Sequence, residues 1–160
     1  MECRNLELTI NSANDLREVR KLFKMKVYAK VLIGGNKRTK KRTPVDRHGR
    51  RNPAWNCFMN FSIAESCLQH HGTMLVIMLY CKRKVGDRYI EVHQSLKQLY
   101  DHATPLGGSA VVFYPVRLGS AESQGHLLFS YKFGEKMAIE SLIHGDNTAL
   151  VFINSPGDPA

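Results

Sequence analysis

The stretch RRNPAWNCFMNF, at residues 50–61, combines an Asn-Pro turn with the beginning of an alternating strand. Pro53 has a fixed φ and no backbone donor, and it biases Asn52 toward extended geometry, so the pair ends the preceding segment and redirects the chain. The apolar side chains that follow occupy every second position, which places them on one face of a strand. They are Trp55, Cys57, Met59, Phe61 and Ile63. The stretch therefore predicts a turn followed by a strand that faces the core.

Strand patterns also occur on both sides of this stretch. Residues 6–10 alternate between apolar and polar side chains, residues 27–33 are β-branched and apolar, and residues 74–80 form an apolar run typical of a buried strand. Shorter or weaker strands are predicted at residues 43–47, 89–93, 111–117 and 125–133, with a helical turn or an irregular crossing at residues 96–100. About eight short strands separated by turn signals, with no long helix, predict an all-β, eight-stranded antiparallel β-sandwich.

The end of the chain does not continue this pattern. A short amphipathic helix is predicted at residues 136–144, followed by a stray strand at residues 149–153. We therefore expect one domain over residues 1–133 and a weakly attached tail over residues 134–160.

The composition limits the classes of protein to which the chain can belong. Its 160 residues are 43% hydrophobic and 23% charged, which suits one globular domain with a sizeable core. The net charge of +9 indicates a negatively charged partner: nucleic acid, anionic lipid or an acidic protein surface. The four cysteines form no CxxC pair and no signal-like apolar segment follows the N-terminal charges, which favours a reducing, cytosolic setting. The longest apolar run is too short to span a bilayer.

Residues with reactive side chains do not form a recognisable catalytic or metal-binding pattern. The adjacent His70 and His71 would point to opposite sides of a strand, and no Cys or carboxylate completes a site at the usual spacing. Cys81 lies beside cations that favour a thiolate, but it has no recognisable His and acid partners. No Gly-rich phosphate loop stands at a strand-to-helix junction. We therefore expect a protein that is not an enzyme and that needs no metal or cofactor.

The order of these segments resembles a C2 domain, the β-sandwich module of peripheral membrane proteins. The segments that carry the resemblance are LELTINSANDL, VYAKV, KRTPVDR followed by RNPAWN, LVIMLY followed by VGDRYIEVHQSL, and GHLLFSYKF, and together they cover residues 5–133. Their order and spacing are similar to those of the small plant C2 proteins of the cold-regulated type, the soybean-gene-regulated-by-cold family and the related BONZAI-associated proteins. The resemblance implies a sandwich in which three loops at one end face the membrane.

The first, second and third of these loops correspond to residues 17–26, 48–52 and 81–88, and together they are strongly basic. They hold eleven bases and two acids, a net charge equal to the +9 of the whole chain. The remainder of the chain is therefore neutral in sum. We predict that the loops bind anionic phospholipid through these residues: Arg17, Arg20, Lys21, Lys24, Lys26, Arg50, Arg51, Lys82, Arg83, Lys84 and Arg88. The alternative is that each basic run is merely a solvated loop.

Calcium-binding members of the family carry aspartates in the first and third loops. Six to eight oxygen ligands around a dication require several carboxylates at one point. The corresponding positions here are Lys26, with Arg20 near the upstream ligand position, and Cys81 and Arg83 in the third loop. Only Asp87 remains among the expected aspartates, so the departure from the family pattern predicts binding without calcium.

A second basic cluster lies at the entry to the predicted third strand, where some C2 domains bind phosphoinositide head groups on a concave face. Its members are Lys37, Arg38, Lys40, Lys41 and Arg42. A solubilising edge that discourages strand pairing is an equal alternative. Leu22 and Phe23 lie among the cations of the first loop, where insertion into the headgroup region and core packing are equal alternatives.

These inferences converge on a noncatalytic module that attaches to the anionic inner face of the plasma membrane without calcium and presents another face to a protein partner. In the plant family such proteins are associated with stress and defence responses, a role that the resemblance alone implies. The competing class is a protein-interaction scaffold whose basic end meets an acidic partner. Nucleic-acid binding is disfavoured, because it requires aromatic side chains interleaved on a basic face, and Tyr and Phe here are predicted to lie mainly in the core.

Overall fold

The computed structural model describes residues 1–17, 24–34, 36–82, 88–103, 109–116, 125–138 and 149–151. Within these ranges the chain forms nine strands, a 3₁₀ turn at Glu65–Gln69 and a short helix, α1, at Leu96–Asp101. The strands are β1 (Glu2–Asn14), β2 (Val27–Ile33), β3 (Asn36–Arg42), β4 (Ala54–Ala64), β5 (Met74–Cys81), β6 (Arg88–Ser95), β7 (Ala110–Pro115), β8 (His126–Ala138) and β9 (Ala149–Val151).

The strands form two sheets with the core between them. The first sheet has the order β7-β8-β1-β4-β9, and the second has the order β3-β2-β5-β6. Neighbouring strands are antiparallel except β4 and β9, which run parallel. Strands β1 to β8 confirm the eight-stranded antiparallel sandwich that the sequence predicts, and β9 adds a short ninth strand beside β4.

The core consists of the side chains at every second position of the strands. Leu6, Leu8 and Ile10 on β1 have no exposed surface, and they face an equally buried layer that includes Val31 on β2 and Ile77 on β5. Because successive side chains of a strand point to opposite faces, the intervening residues of β1 lie on the outer face of the first sheet. The alternation of apolar and polar residues that predicted these strands therefore corresponds to the alternation of buried and outward-facing side chains.

The Asn-Pro stretch connects the two sheets at one end of the sandwich. Pro53 is buried, and its carbonyl accepts a hydrogen bond from Ala13 N at 2.9 Å. Trp55 packs against the core, and its indole Nε1 donates to the carbonyl of Val27, the first residue of β2, at 3.0 Å. Phe61, on the same face of β4, is fully buried. The predicted turn and core-facing strand are therefore confirmed.

The strand predicted at residues 43–47 is wrong, because the third strand lies earlier, on the basic run Asn36–Arg42. Two threonines explain the difference. Thr39 is fully buried, and its Oγ1 accepts a hydrogen bond from Ile33 N at 2.9 Å. Thr43 Oγ1 accepts another from Ala29 N at 2.9 Å, and Pro44 then has no N–H with which to continue the ladder.

The C-terminal segments differ from the sequence prediction in one respect. The helix predicted from Lys136 is wrong at its start, because β8 continues to Ala138, and residues 139–144 lie outside the described residues. The strand predicted at residues 149–153 is present at Ala149–Val151, where Ala149 pairs with Phe61. The division into a domain of residues 1–133 and a weakly attached tail stays a prediction.

Candidate functional site

Hydrogen bonds join the described parts of the three predicted loops at one end of the sandwich, here called the loop end. Leu16 N, just before the first loop, donates to the Arg51 carbonyl at 3.0 Å, and Arg51 Nε donates back to the Leu16 carbonyl at 2.7 Å. Lys82 N, in the third loop, donates to the Lys26 carbonyl at 2.8 Å. The first loop is therefore held against both the second and the third.

Most of the described bases at the loop end are exposed. The exposed ones among the predicted residues are Arg17, Lys24, Arg50, Arg51 and Lys82, and Lys26 is half-buried. The predicted residues that lie outside the described ranges are Arg20, Lys21, Leu22, Phe23, Arg83 and Lys84. Arg88 begins β6, and the position of its side chain is not described. Arg47 is an exposed base that the prediction omitted because it began the second loop one residue later.

The second loop is folded around the carboxylate of Asp46. Oδ1 accepts hydrogen bonds from His48 N at 2.7 Å and Gly49 N at 2.8 Å, and Oδ2 accepts one from Ala54 N at 2.6 Å. Partial burial alone would raise the pKa of Asp46, but the three backbone donors and the attraction to His48 outweigh burial and lower that pKa from its ordinary value. The carboxylate is therefore ionised near neutral pH with both oxygens in use.

The described side chains at two of the positions where the resemblance implies calcium ligands carry no carboxylate. The positions that hold aspartate in calcium-binding members of the family carry Lys26 and Cys81 in the described part of these loops, and Cys81 has no exposed surface. An ammonium group and a buried thiol supply none of the oxygen ligands that calcium requires. Across the described ranges of the chain, no group of three or more His, Cys, Asp or Glu side chains is placed to hold a metal ion.

The outer face of the second sheet combines aromatic rings with cations. Tyr28 and Tyr80 are cross-strand neighbours on β2 and β5, and their rings stack with centroids 5.3 Å apart. Lys30 Nζ lies 4.6 Å from the Tyr80 centroid, and the Arg42 guanidinium lies 4.5 Å from the Tyr28 centroid. At such distances a cation is attracted to the face of the ring. We call these four residues the aromatic-cation face.

The predicted second basic cluster divides between the two sides of β3. Lys37, Arg38, Lys40 and Arg42 are exposed. Lys41 instead turns toward the first sheet, where its Nζ donates to the Asn60 carbonyl and lies 5.0 Å from the ring centroid of Phe61. Desolvation lowers the pKa of Lys41 from its ordinary value. The structure thus extends the cluster toward the aromatic-cation face through Arg42, while Lys41 bridges the two sheets.

Sequence reasoning missed the aromatic-cation face as a candidate site. Its interpretation of Val27–Ile33 as a buried apolar strand did not give a role to Tyr28 and Lys30, which alternate with the core side chains. A signal was present, since a lysine two residues after a tyrosine interrupts the apolar run on one face only. The stacking partner Tyr80 lies on a strand distant in sequence, so the ring pair itself was not visible.

Three exposed apolar side chains lie on the outer face of the first sheet. Phe58, Val111 and Phe113 are 56%, 68% and 57% exposed. Thr9 of β1 is paired with Phe58, and Ser130 of β8 is paired with Val111, so a neutral polar strip separates the two apolar positions.

The fold is that of a known family: the pattern described as C2 domain matches residues 4–106, and the chain belongs to that family. It is similar to the protein called Protein SRC2 homolog from Arabidopsis thaliana, with 38% identity over 138 residues that cover 85% of this chain and 42% of that protein. It is also similar to Protein SRC2 from Glycine max, with 39% identity over 138 residues, 84% of this chain and 48% of that protein. The chain spans less than half the length of either relative.

A solved structure agrees on the fold. A C2 domain of plant Extended Synaptotagmin 1 matches with a TM-score of 0.65 and 18% identity, over 81% of this chain and 93% of that domain. At this identity the match shows the fold alone. Among the residues that the structure describes, no helix has the length and apolar character needed to cross a membrane.

Proposed function

We propose that the protein is a noncatalytic module that attaches to anionic phospholipid through the loop end. The observation that carries this proposal is the set of hydrogen bonds between the loops, which bring exposed bases from three separate parts of the chain to one end. A Lys or Arg close to an anionic leaflet contributes about 1 kcal/mol, screened over about 8 Å at physiological salt. Bases on one surface of the protein can lie close to the leaflet at the same time and contribute jointly to the affinity, whereas bases scattered over the protein cannot.

The aromatic-cation face supports a second contact, with a phosphoinositide head group. Its rings hold Lys30 and Arg42 on one side of the sheet, beside the exposed bases of β3. The guanidinium of Arg42 has the planar geometry that binds phosphate oxygens in pairs. We therefore extend the proposal to a head group at this face, with Lys37, Arg38 and Lys40 supplying further charge.

The cellular setting follows from the ligand. The cytoplasmic leaflet of the plasma membrane is rich in anionic lipid and attracts basic surfaces. We place the protein in the cytoplasm, peripheral to that leaflet. A role in plant stress or defence signalling is part of the proposal, and it rests on the resemblance to the cold-regulated plant proteins.

A matched pair of triple variants compares the two basic surfaces. The loop variant reverses one exposed base in each loop: Lys24→Glu, Arg50→Glu and Lys82→Glu. The strand variant reverses three exposed bases of β3, with the same change of net charge: Lys37→Glu, Arg38→Glu and Lys40→Glu. Sedimentation with phosphatidylserine, phosphoinositide and neutral phosphatidylcholine vesicles measures the affinity of each. Circular dichroism and the melting temperature verify that both variants are folded, as expected for surface substitutions.

The loop variant is expected to lose at least about tenfold in affinity for phosphatidylserine, since three bases near a leaflet contribute about 1 kcal/mol each. The strand variant is expected to keep most of that affinity and to lose the preference for phosphoinositide vesicles. A folded loop variant that sediments like the parent would show that the loop end is not the contact. A parent that binds no acidic vesicle would contradict the membrane proposal and favour the scaffold function.

Calcium is expected to leave this binding unchanged. The described family ligand positions carry Lys26 and the buried Cys81, so a calcium ion would gain no carboxylates there. Vesicle affinity and melting temperature, each measured with added calcium and with excess chelator, check the prediction. A calcium-binding C2 domain run in parallel serves as the positive control. A rise in either quantity on adding calcium to this protein would contradict calcium-independent binding.

The outer face of the first sheet favours a second candidate function, binding of a protein partner. Exposed apolar and aromatic side chains are typical of interaction sites, and Phe58, Val111 and Phe113 are the exposed ones here. Crosslinking in cell extract compares the parent with the double variant Phe58→Ser and Phe113→Ser and with the loop variant. Loss of a crosslinked protein in the double variant alone would place the partner on this face. Loss in the loop variant alone would indicate an acidic partner at the loop end.

A further inference from the structure

Asp46 is an acid placed among the bases of the loop end. Arg47, Arg50 and Arg51 follow it within five residues, and His48 lies between them. Its two carboxylate oxygens accept three backbone N–H groups, two before Arg50 and one after Arg51. By charge alone this acid would weaken the attraction of the loop end for an anionic surface.

The segment that Asp46 closes is held in one shape by its hydrogen bonds. Asn52 N donates to the Gly49 carbonyl at 2.8 Å, which closes a tight turn around Arg50 and Arg51. A Cβ at Gly49 would lie 2.3 Å from the Asn52 carbonyl oxygen and 2.9 Å from Asp46 Oδ2, so the turn leaves no room for a side chain there. Arg50 has a φ of 54°, a left-handed conformation that a residue with a side chain adopts only when its surroundings impose it.

The same residue anchors the second loop to the first. Asp46 N donates to the Val27 carbonyl at 2.9 Å, and Val27 N donates to the Asp46 carbonyl at 3.2 Å. Val27 is the residue that follows Lys26, the last residue of the first loop. On the other side of the turn, Asn52 Oδ1 accepts a hydrogen bond from Asp15 N at 2.9 Å. These bonds fix the two ends of the second loop, and the Asp46 carboxylate binds the backbone of the segment between them.

We propose that Asp46 is a positioning residue for anion binding at the loop end: its carboxylate holds the second loop in the shape that presents Arg50 and Arg51 beside the first loop. This inference rests on the proposed function. It predicts that removing this acid changes the affinity for an anion in the direction opposite to that expected from charge. Removing an acid from a basic surface raises its affinity for an anion when only charge changes, whereas removing Asp46 releases the loop and lowers the affinity.

A graded pair of substitutions separates shape from charge. Asp46→Asn keeps an oxygen for His48 N and Gly49 N but sets an amide donor against Ala54 N, and Asp46→Ala removes all three acceptors. Both substitutions change the net charge equally. We expect affinity for phosphatidylserine vesicles to fall in the order parent, Asp46→Asn, Asp46→Ala. The last should lose about fivefold or more, equivalent to withdrawing one base from an anionic leaflet.

Two further variants serve as controls. Asp15→Asn removes an exposed acid at the same end, where asparagine tolerates the φ of 52°, and should bind at least as tightly as the parent. Gly49→Ala forces a Cβ into the closed turn without changing any charge, and it should weaken binding as the Asp46 variants do. The salt dependence of affinity should become shallower in the Asp46 variants and in Gly49→Ala, because fewer bases reach the bilayer together. Loss of stability alone would not change that slope for the folded molecules.

Each outcome decides between shape and charge. If both folded Asp46 variants bind as tightly as Asp15→Asn, charge alone governs the site and the inference is overturned. If Asp46→Ala does not fold, Asp46→Asn and Gly49→Ala carry the comparison. A parent that fails to bind acidic vesicles would overturn the proposed function and this inference with it, whereas a binding parent with unaffected Asp46 and Gly49 variants would overturn the inference alone.

Discussion

At the scale of single residues, the Val27 carbonyl shows how one acceptor holds the loop end to the core. It accepts hydrogen bonds from the indole Nε1 of Trp55 at 3.0 Å and from Asp46 N at 2.9 Å. A carbonyl oxygen has two lone pairs, and here both are used. Trp55 therefore contributes through its packing and also through a bond that fixes the beginning of β2 beside the Asn-Pro turn.

We predict that Trp55→Ala lowers the free energy of unfolding by about 3 kcal/mol, the low end of the range for aromatic truncation, because the ring is only partly buried. Trp55→Phe should lower it by about 1 kcal/mol, since it keeps most of the packing and loses one hydrogen bond. Urea denaturation followed by circular dichroism measures both. Equal stability of the alanine variant and the parent would show that Trp55 does not join the sheets.

At the scale of elements, β3 shows how one short strand serves two surfaces. Its outward residues Lys40 and Arg42 are exposed, and Arg42 stacks on Tyr28. Lys41 between them points inward and donates to the Asn60 carbonyl on β4. Because strand side chains alternate, neighbouring lysines with the same charge reach different surroundings.

The matched substitutions Lys40→Met and Lys41→Met test this division. Lys40→Met should lower the affinity for phosphoinositide vesicles and leave the stability close to that of the parent. Lys41→Met should leave vesicle affinity unchanged and lower the free energy of unfolding by about 1 kcal/mol, the net contribution of one hydrogen bond. Vesicle sedimentation and urea denaturation on both variants provide the comparison. Equal loss of affinity in the two variants would contradict the inward orientation of Lys41.

At the scale of the whole molecule, the first sheet continues beyond the domain predicted at residues 1–133. Arg4 Nη1 donates to the Gly134 carbonyl at 3.0 Å, and Lys136 Nζ lies 3.6 Å from the Glu2 carboxylate. These contacts join the last residues of β8 to the first residues of β1. The short strand β9 then covers part of the β4 edge through a parallel pairing of three residues.

Two truncations examine where the folded unit ends. A chain of residues 1–138 should keep the eight-stranded sandwich and melt a few degrees below the parent, because it loses only β9 among the described strands. A chain of residues 1–133 should melt lower still, because it also loses the pairing of Glu2, Cys3 and Arg4 with β8. Scanning calorimetry measures the three melting temperatures. Equal melting of the two truncated chains would support the boundary predicted at residue 133.

Much of the fold was predictable because the relevant pattern is local. Leu6, Leu8 and Ile10 alternate within five residues, and the Asn52-Pro53 turn limits its own backbone, so neither needs information from elsewhere in the chain. The third strand was misplaced because Thr39 and Thr43 are buried by hydrogen bonds to β2 that a basic run does not reveal. The basic loops were visible as charge runs, while Arg47 was omitted from them.

The sequence by itself determined the sandwich and the runs of basic residues, since strand periodicity, turn residues and composition are properties of neighbouring residues, and its resemblance to C2 domains indicated the family and the three loops. Only the tertiary structure decided that Lys41 faces inward, that Tyr28 and Tyr80 stack beneath Lys30, and that Asp46 closes a loop of bases. Each of these depends on contacts between segments distant in sequence, or on the turn that brings a carboxylate back to the backbone. Such contacts arise when the sheets pack, because packing fixes which side chains and backbone groups come within bonding distance.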